Sequence, residues 1–333
     1  MEIAILGAGY AGLATAISLK SLDSSLNVTV FHDEPLDKSC SSISTGLLQP
    51  FVGKYIKKSI WADQCMVEAL ELLDLSKEAL GQQVYDKTGV LRVAYKPFQV
   101  SVSKRVIKKH PENKWFEKGY HPDIPFPCLF MPSGVTVYSD LYIEGLVKAC
   151  LEKGVKFEQK KITDTQKLYR YDKIILCVGH RLKDFEEGKN LPVKKIKGQA
   201  LIVKLPRGIN PFPIIVSKGH ISLCKDKRYC QIGSTYERDY DSVDPDSESD
   251  RLIDQIAEFF PKIVDCEVVE KKAGIRLSKI GEYKPYCFQA SDKVWVIGAL
   301  GSRGLLYHAF LAKKLAKTLL KGEKLLPELL PSV

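Results

Sequence analysis

Two rhythms of apolar and polar positions divide this chain. In the first, a short apolar run over residues 2–6 passes directly into Gly7-Ala-Gly9-Tyr10-Ala11-Gly12, and an Ala- and Leu-rich stretch over 10–22 reads as a helix. Asn27 to Phe31 is rich in β-branched residues and reads as a second strand. Trp61 to Leu73 has the spacing of an amphipathic helix, and residues 84–95 and 128–138 look like strands or hairpins. Ser139-Asp140 is expected to cap a helix that runs to about Lys153 and stops at Gly154. Val155 to Phe157 is a further strand, and Asp172 to Gly179 is a buried-type strand that ends in glycine.

From Lys195 to about Thr235 the rhythm changes. Short strands at Gln199–Leu205, Ile214–Val216, Ile221–Cys224 and Tyr229–Ser234 are separated only by turn residues, the mark of antiparallel β. An acidic, Ser-rich loop over 239–250 leads into a helix up to Phe260, and Cys266–Gly274 is another strand. The first rhythm then returns: a buried strand, Lys293–Gly298, a glycine-rich turn over 298–304, and a long helix from Leu305 to Leu320. The pattern predicts an α/β chain, α+β overall. Its Rossmann-like nucleotide domain is discontinuous over 1–85, 139–195 and 285–333, with an antiparallel β-rich domain inserted at 86–138 and 196–284.

Chemistry enters with the first turn. Gly-x-Gly-x-x-Gly between a strand and a helix is what a dinucleotide site requires. Gly7 permits the tight turn, Gly9 lets backbone N–H groups approach a pyrophosphate, and Gly12 lets the helix pack on the strand. The phosphates then meet the positive end of the helix dipole. An acidic residue about 20 positions later would bind a ribose hydroxyl. Asp33 and Glu34 both fall there and His32 lies one position earlier, so the motif alone leaves the choice open.

With 333 residues the chain has room for two cores, and 45% hydrophobic with 27% charged residues is ordinary for a globular protein. No apolar run nears the roughly 20 residues needed to span a bilayer, and the N-terminus has no signal-peptide pattern, so a cytoplasmic protein is expected. Nine cysteines without a Cys-x-x-Cys pair argue for buried free thiols rather than disulfides, zinc or iron–sulfur ligation. The net charge of +10 is spread over positions such as Lys54, Lys57, Lys58, Lys104, Arg105, Lys108, Lys109, Lys160, Lys161, Lys194, Lys195 and Lys197. It reads either as a solvated basic surface or as a surface for nucleic acid.

Four further motifs carry a resemblance. They are Ser41 to Gly46 running into Leu47-Leu48-Gln49-Pro50, the strand end Cys177-Val178-Gly179, the triplet Lys197-Gly198-Gln199, and Gly301-Ser302-Arg303-Gly304-Leu305. With the opening motif they resemble the FAD-dependent amine oxidoreductases of the D-amino-acid oxidase type, a family that includes glycine and sarcosine oxidases. The last motif is very similar to a Gly-Ser-Arg-Gly-Leu in the C-terminal FAD oxidase domain of the bifunctional tRNA-modifying protein MnmC. Departures are His32-Asp33-Glu34 where the family usually has Glu, Tyr307-His308 where the final helix usually opens with Ala-Pro, and Arg276-Leu277 for an Arg-Pro.

The resemblance implies FAD as cofactor and a hydride passed from the substrate Cα–H to the flavin. It implies Arg276 and Arg303 as grips for a substrate carboxylate, with Tyr236 lining the pocket. Ser41, Ser42, Thr45, Gly46 and Leu47 would pass the pyrophosphate and one flavin face, together with Gly7, Gly9, Tyr10, Ala11, Gly12, Cys177, Val178 and Gly179. Val155, Lys156 and Ile162 would flank the adenine. Backbone amides of Gly301, Ser302, Gly304 and Leu305 would polarise the flavin C2 oxygen at the N-terminus of the last helix. His32 and His308 are expected to be structural. The substrate is either a carboxymethylaminomethyl group on tRNA, which the charge favours, or free glycine, sarcosine or a D-amino acid. A flavoprotein without turnover and an NAD dehydrogenase are the remaining alternatives.

Overall fold

The computed structural model describes residues 1–33, 35, 39–110 and 115–331. One sheet has the strand order Lys156–Gln159, Asn27–His32, Glu2–Leu6, Lys173–Leu176, Val294–Gly298, Tyr286–Gln289. The first five are parallel, and the Tyr286–Gln289 edge is antiparallel. Glu2–Leu6 takes the centre because it is apolar on both faces. Ile3 and Ile5 enter one core, and Ala4 and Leu6 enter the other.

The described residues form six α-helices: α1 (Tyr10–Leu22), α2 (Ala62–Leu80), α3 (Pro97–Lys109), α4 (Ser139–Glu152), α5 (Arg251–Ala257) and α6 (Gly304–Lys321). Helices α1 and α6 pack side by side, and α2 packs on both α4 and α6, so four helices cover one face of the parallel sheet.

The second large sheet has the order Glu267–Lys279, Val193–Lys204, Tyr229–Gly233, His220–Leu223, Ile214–Val216, Val90–Val93, Cys128–Met131, Glu117–Gly119. Its 193–233 portion is antiparallel, as the turn spacing predicts: 214–233 is a meander, and Val193–Lys204 pairs with its last strand, Tyr229–Gly233. Ile214–Val216 and Val90–Val93, however, pair in parallel. A small sheet of Leu47–Leu48, Val135–Val137 and Tyr85–Asp86, and a hairpin of Phe51–Val52 with Lys57–Lys58, complete the strand pairing.

Several elements differ from expectation. Helix α2 runs past Leu73 to Leu80 and stops at Gly81, whose φ of 73° suits glycine. Ser139 is the first residue of α4 rather than its cap, which is Tyr138. Helix α3 and the Tyr286–Gln289 strand were not predicted. The alternating Val100-Ser101-Val102-Ser103 of α3 mimics a strand, but its buried side chains, Val102 and Val106, are four apart. Lys197 is no surface charge. Its side chain is fully buried, with its ammonium on Asp246 of the acidic 239–250 loop. All nine cysteines are free, five of them buried.

Candidate functional site

A cleft of about 560 Å³ opens between the C-terminal ends of the parallel strands and one face of the second sheet. This is where an open α/β sheet binds its ligands. At one end the opening glycines act through backbone geometry. Gly7 has φ 103°, and a Cβ on it would lie 2.4 Å from the Cys177 carbonyl oxygen. A Cβ on Gly12 would lie 1.8 Å from the Gly7 carbonyl oxygen. Gly9 begins α1 with no side-chain cap, and the Tyr10 N–H donates to Ser41 Oγ at 3.2 Å. The first turn of α1 therefore faces the cleft as an anion site.

The second turn does the same from the far end of the chain. Gly301–Arg303 forms a short 3-10 turn that runs straight into α6, and Gly301, Ser302, Arg303, Gly304 and Leu305 all line the cleft. Gly301 has φ 57°, and a Cβ there would lie 2.6 Å from Ser278 Oγ. Behind this turn His308 is buried. Its Nε2 lies 2.7 Å from the Tyr142 hydroxyl and its Nδ1 lies 3.0 Å from the Leu305 carbonyl oxygen. Nδ1–H thus donates to the backbone and Nε2 accepts from tyrosine, and burial lowers the imidazole pKa to about 4. His308 is structural, as expected, and holds the first turn of α6.

The opposite wall works through side chains. Arg276, on Glu267–Lys279, folds across Gly198 of the neighbouring Val193–Lys204 strand, where a Cβ would lie 2.4 Å from Nη2. Its Nη2 donates to the Thr235 carbonyl at 2.9 Å and its Nη1 to Ser234 Oγ at 3.3 Å. Among the described residues no carboxylate lies within ion-pair distance of it. Burial lowers its pKa, the expected response of a desolvated cation. Thr235 is fixed in turn: its Oγ1 accepts from the Gln199 N–H at 2.8 Å, and Gln199 Nε2 donates to Asp246 at 2.7 Å. The buried Lys197 and the acidic loop therefore anchor the strand pair that aims Arg276.

Of the residues named from the sequence, Gly7, Gly9, Tyr10, Ala11, Asp33, Ser41, Thr45, Leu47, Ile162, Cys177, Val178, Gly179 and Arg276 line the cleft, besides the 301–305 turn. Gly12 and Gly46 lie behind the lining. Gly46, at φ 70°, presses on Val137, where a Cβ would come within 1.9 Å of its carbonyl oxygen. Ser42 turns into its own loop and donates to the Ser39 carbonyl at 2.7 Å. Val155 is in the helix-side core and Lys156 is exposed on the sheet edge, so neither reaches the cleft. Pairing of Lys156–Gln159 with Asn27–His32 instead carries the chain on to Lys160 and Ile162, which do. Tyr236 is half-exposed outside the lining, its ring centroid 6.0 Å from the Arg276 guanidinium carbon. Glu34 lies outside the described residues.

Three residues escaped the sequence reading. Arg181 pairs with Asp33 and also donates to the Ile162 carbonyl at 3.2 Å, closing one end of the cleft. A basic residue two positions after the strand-ending Gly179 was the available signal. His220 lines the cleft and hydrogen-bonds Thr45; burial, and then the Arg276 charge, lower its pKa to about 4, so it is neutral at pH 7. Arg92 is a buried cation whose Nη2 donates to the Gly53 carbonyl at 2.9 Å. A charge inside the apolar run Val90-Leu91-Arg92-Val93 was its signal.

Residues 2–318 match the model of the DAO family, described as FAD dependent oxidoreductase. The chain belongs to that family. It is 25% identical over 293 residues, 83% of its length and 44% of the relative's, to the tRNA 5-methylaminomethyl-2-thiouridine biosynthesis bifunctional protein MnmC of Campylobacter jejuni. It is 30% identical over 112 residues, 32% of its length and 30% of the relative's, to a glycine oxidase of Pseudomonas aeruginosa. The chain thus spans less than half the length of the curated relatives it matches.

Its fold is that of glycine oxidase from Geobacillus kaustophilus, with TM-score 0.84, 16% identity and coverage of 99% and 98% of the two chains. Iminodiacetate oxidase from Chelativorans sp. BNC1 is similar, at TM-score 0.81, 17% identity and the same coverage. A DAO-family enzyme uses FAD, and the cleft fits it: two helix N-termini face one continuous groove, and glycines stand where a Cβ would collide with backbone. Among the described residues no helix is long and apolar enough to cross a membrane.

Proposed function

We propose that this chain oxidises the carbon–nitrogen bond of an N-substituted glycine, carried on a tRNA wobble uridine as a carboxymethylaminomethyl group. The observation that carries the reading is Arg276: a half-buried guanidinium in the cleft wall with hydrogen-bonded neighbours but, among the described residues, no carboxylate within ion-pair distance. Such a cation calls for an anionic ligand, and its forked donors suit a carboxylate. A glycine-type arm supplies that carboxylate one carbon from the amine nitrogen. The tRNA part of the reading is supported by the MnmC relatives, the Gly301–Leu305 motif and the +10 charge.

FAD, when bound, supplies the two-electron acceptor for the hydride that leaves the substrate Cα. We assign its pyrophosphate to Gly7–Ala11 and Ser41, its ribose to Asp33 as held by Arg181, and its C2 oxygen to the amides of 301–305. Arg276 binds the carboxylate and so fixes which hydrogen points across the cleft. Neutral His220 adds no second charge beside it. Loss of hydride leaves an imine, and water splits it into glyoxylate and the primary amine.

The test is flavin bleaching under anaerobic conditions. Bulk tRNA from a strain that accumulates the carboxymethylaminomethyl group should bleach it, with release of glyoxylate. Bleaching by free glycine, sarcosine or D-alanine but not by that tRNA would select the second reading, a free amino-acid oxidase or dehydrogenase. That alternative draws on the glycine oxidase and iminodiacetate oxidase likenesses.

A further inference from the structure

We infer that α3 and the Phe51–Lys58 hairpin form one docking surface for a looped RNA strand beside the mouth of the cleft. The inference rests on the RNA-linked reading of the function. Helix α3 carries Lys104, Arg105, Lys108 and Lys109 and no acidic residue. All four are exposed, and among the described residues none has a carboxylate within ion-pair distance. Phe98, Arg105 and Lys109 recur at spacings of seven and four and so share one flank of the helix.

That flank meets the hairpin. Phe98 is 46% and Tyr55 45% exposed, and their rings touch edge to face with centroids 5.6 Å apart. Lys54 Nζ stands 5.0 Å and Lys57 Nζ 5.9 Å from the Tyr55 ring centroid. An exposed aromatic flanked by cations is a stacking platform for an unpaired base, and the α3 cations beside it suit phosphates.

The platform is tied to the cleft through the backbone. Phe51 and Ile56 pack with Val102 and Val106 of α3 in one small core, and Val52 and Gly53 of the same hairpin line the cleft. Arg92 holds that connection, donating to the Gly53 carbonyl. A nucleotide whose side arm enters the cleft would leave its neighbours on Tyr55 and its backbone along α3. A helix that is basic on its exposed side also suits an anionic membrane. The exposed aromatic platform leading into the cleft favours RNA.

The experiment measures binding of a labelled anticodon stem–loop RNA to the holoenzyme across a salt series. Three proteins are compared: wild type, Tyr55→Ala, and the quadruple variant Lys104→Ala, Arg105→Ala, Lys108→Ala, Lys109→Ala. The quadruple variant should bind at least about tenfold more weakly, with the slope of log affinity against log salt reduced by about 3. Tyr55→Ala should lose about tenfold with its slope unchanged. Flavin content, Tm and turnover of a free N-alkyl glycine should match wild type in both. Wild-type binding that neither variant weakens would overturn the surface and leave the RNA-linked function standing. A wild type without salt-dependent RNA affinity would overturn both. Binding to phosphatidylserine vesicles that RNA does not compete away would replace RNA by a membrane.

Discussion

The two walls of the cleft are built by different means. On the parallel-sheet side the chain offers backbone: uncapped helix starts and glycines whose missing side chains make room. On the second sheet it offers side chains, with one half-buried arginine aimed by a hydrogen-bonded network. The difference teaches where each wall is fragile. A backbone cradle fails sterically and takes the fold with it. A side-chain grip fails electrostatically and leaves the fold intact.

The largest effect is expected on the first wall. In Gly12→Ala the added Cβ would sit 1.8 Å from the Gly7 carbonyl oxygen, an atom that cannot move without opening the strand–helix turn. The variant should be insoluble or colourless after purification, read from flavin absorbance and Tm. A yellow protein with unchanged Tm would show that the cradle tolerates distortion.

On the second wall Arg276→Ala should keep its flavin and melt within a few degrees of wild type. Its kcat/KM for the carboxylate substrate should fall about 10²–10³-fold, the loss of two charge-assisted hydrogen bonds. Unchanged kinetics would remove the carboxylate grip from the mechanism.

The histidines supply a third contrast, in stability rather than rate. His220 and His308 have pKa values lowered to about 4, against about 6.5 when unfolded. Between these values the unfolded chain binds protons that the native state refuses, so stability rises with pH across that window and is lost as pH falls from 6.5 towards 4. For His308 the contribution reaches about 3 kcal/mol at the acid end. Urea unfolding at pH 7, 6 and 5 checks this, and His308→Gln should flatten the profile.

A smaller effect lies within the second wall. Gly198→Ala places a Cβ 2.4 Å from Arg276 Nη2, the far end of a flexible side chain, so the guanidinium shifts and the strand does not. We expect normal flavin content with kcat/KM down about tenfold. Arg303→Ala should cost least. Its guanidinium is half-buried at the cleft edge, 4.7 Å from the Tyr283 ring centroid, and donates one long hydrogen bond, 3.5 Å, to the Tyr283 carbonyl. A loss of a few fold in KM with kcat unchanged is expected, and a loss matching that of Arg276→Ala would make it a second grip.

Much of the parallel-sheet wall was legible in the residues. Glycine spacing, a β-branched strand and a closing Gly-Ser-Arg-Gly turn have local meanings, because a tight turn or an open helix start needs particular neighbours only. Helix α3 was hidden by a period-two alternation of Val and Ser that its tertiary setting overrides. Val155 and Lys156 stand away from the cleft because pairing with Asn27–His32 decides how far the strand runs before the chain reaches it. Lys197 reads as surface charge in the sequence because its partner Asp246 is 49 residues away.

The sequence by itself determined the dinucleotide turn and the order of most elements, which are matters of short-range sterics and hydrophobic period; the two arginines worth watching came from its resemblance to a family. Only the tertiary structure decided which cations are desolvated, which histidines are neutral, and which lysines face water. Those properties are set by desolvation and by partners far apart in the chain, and a residue's solvation is fixed by what folds over it.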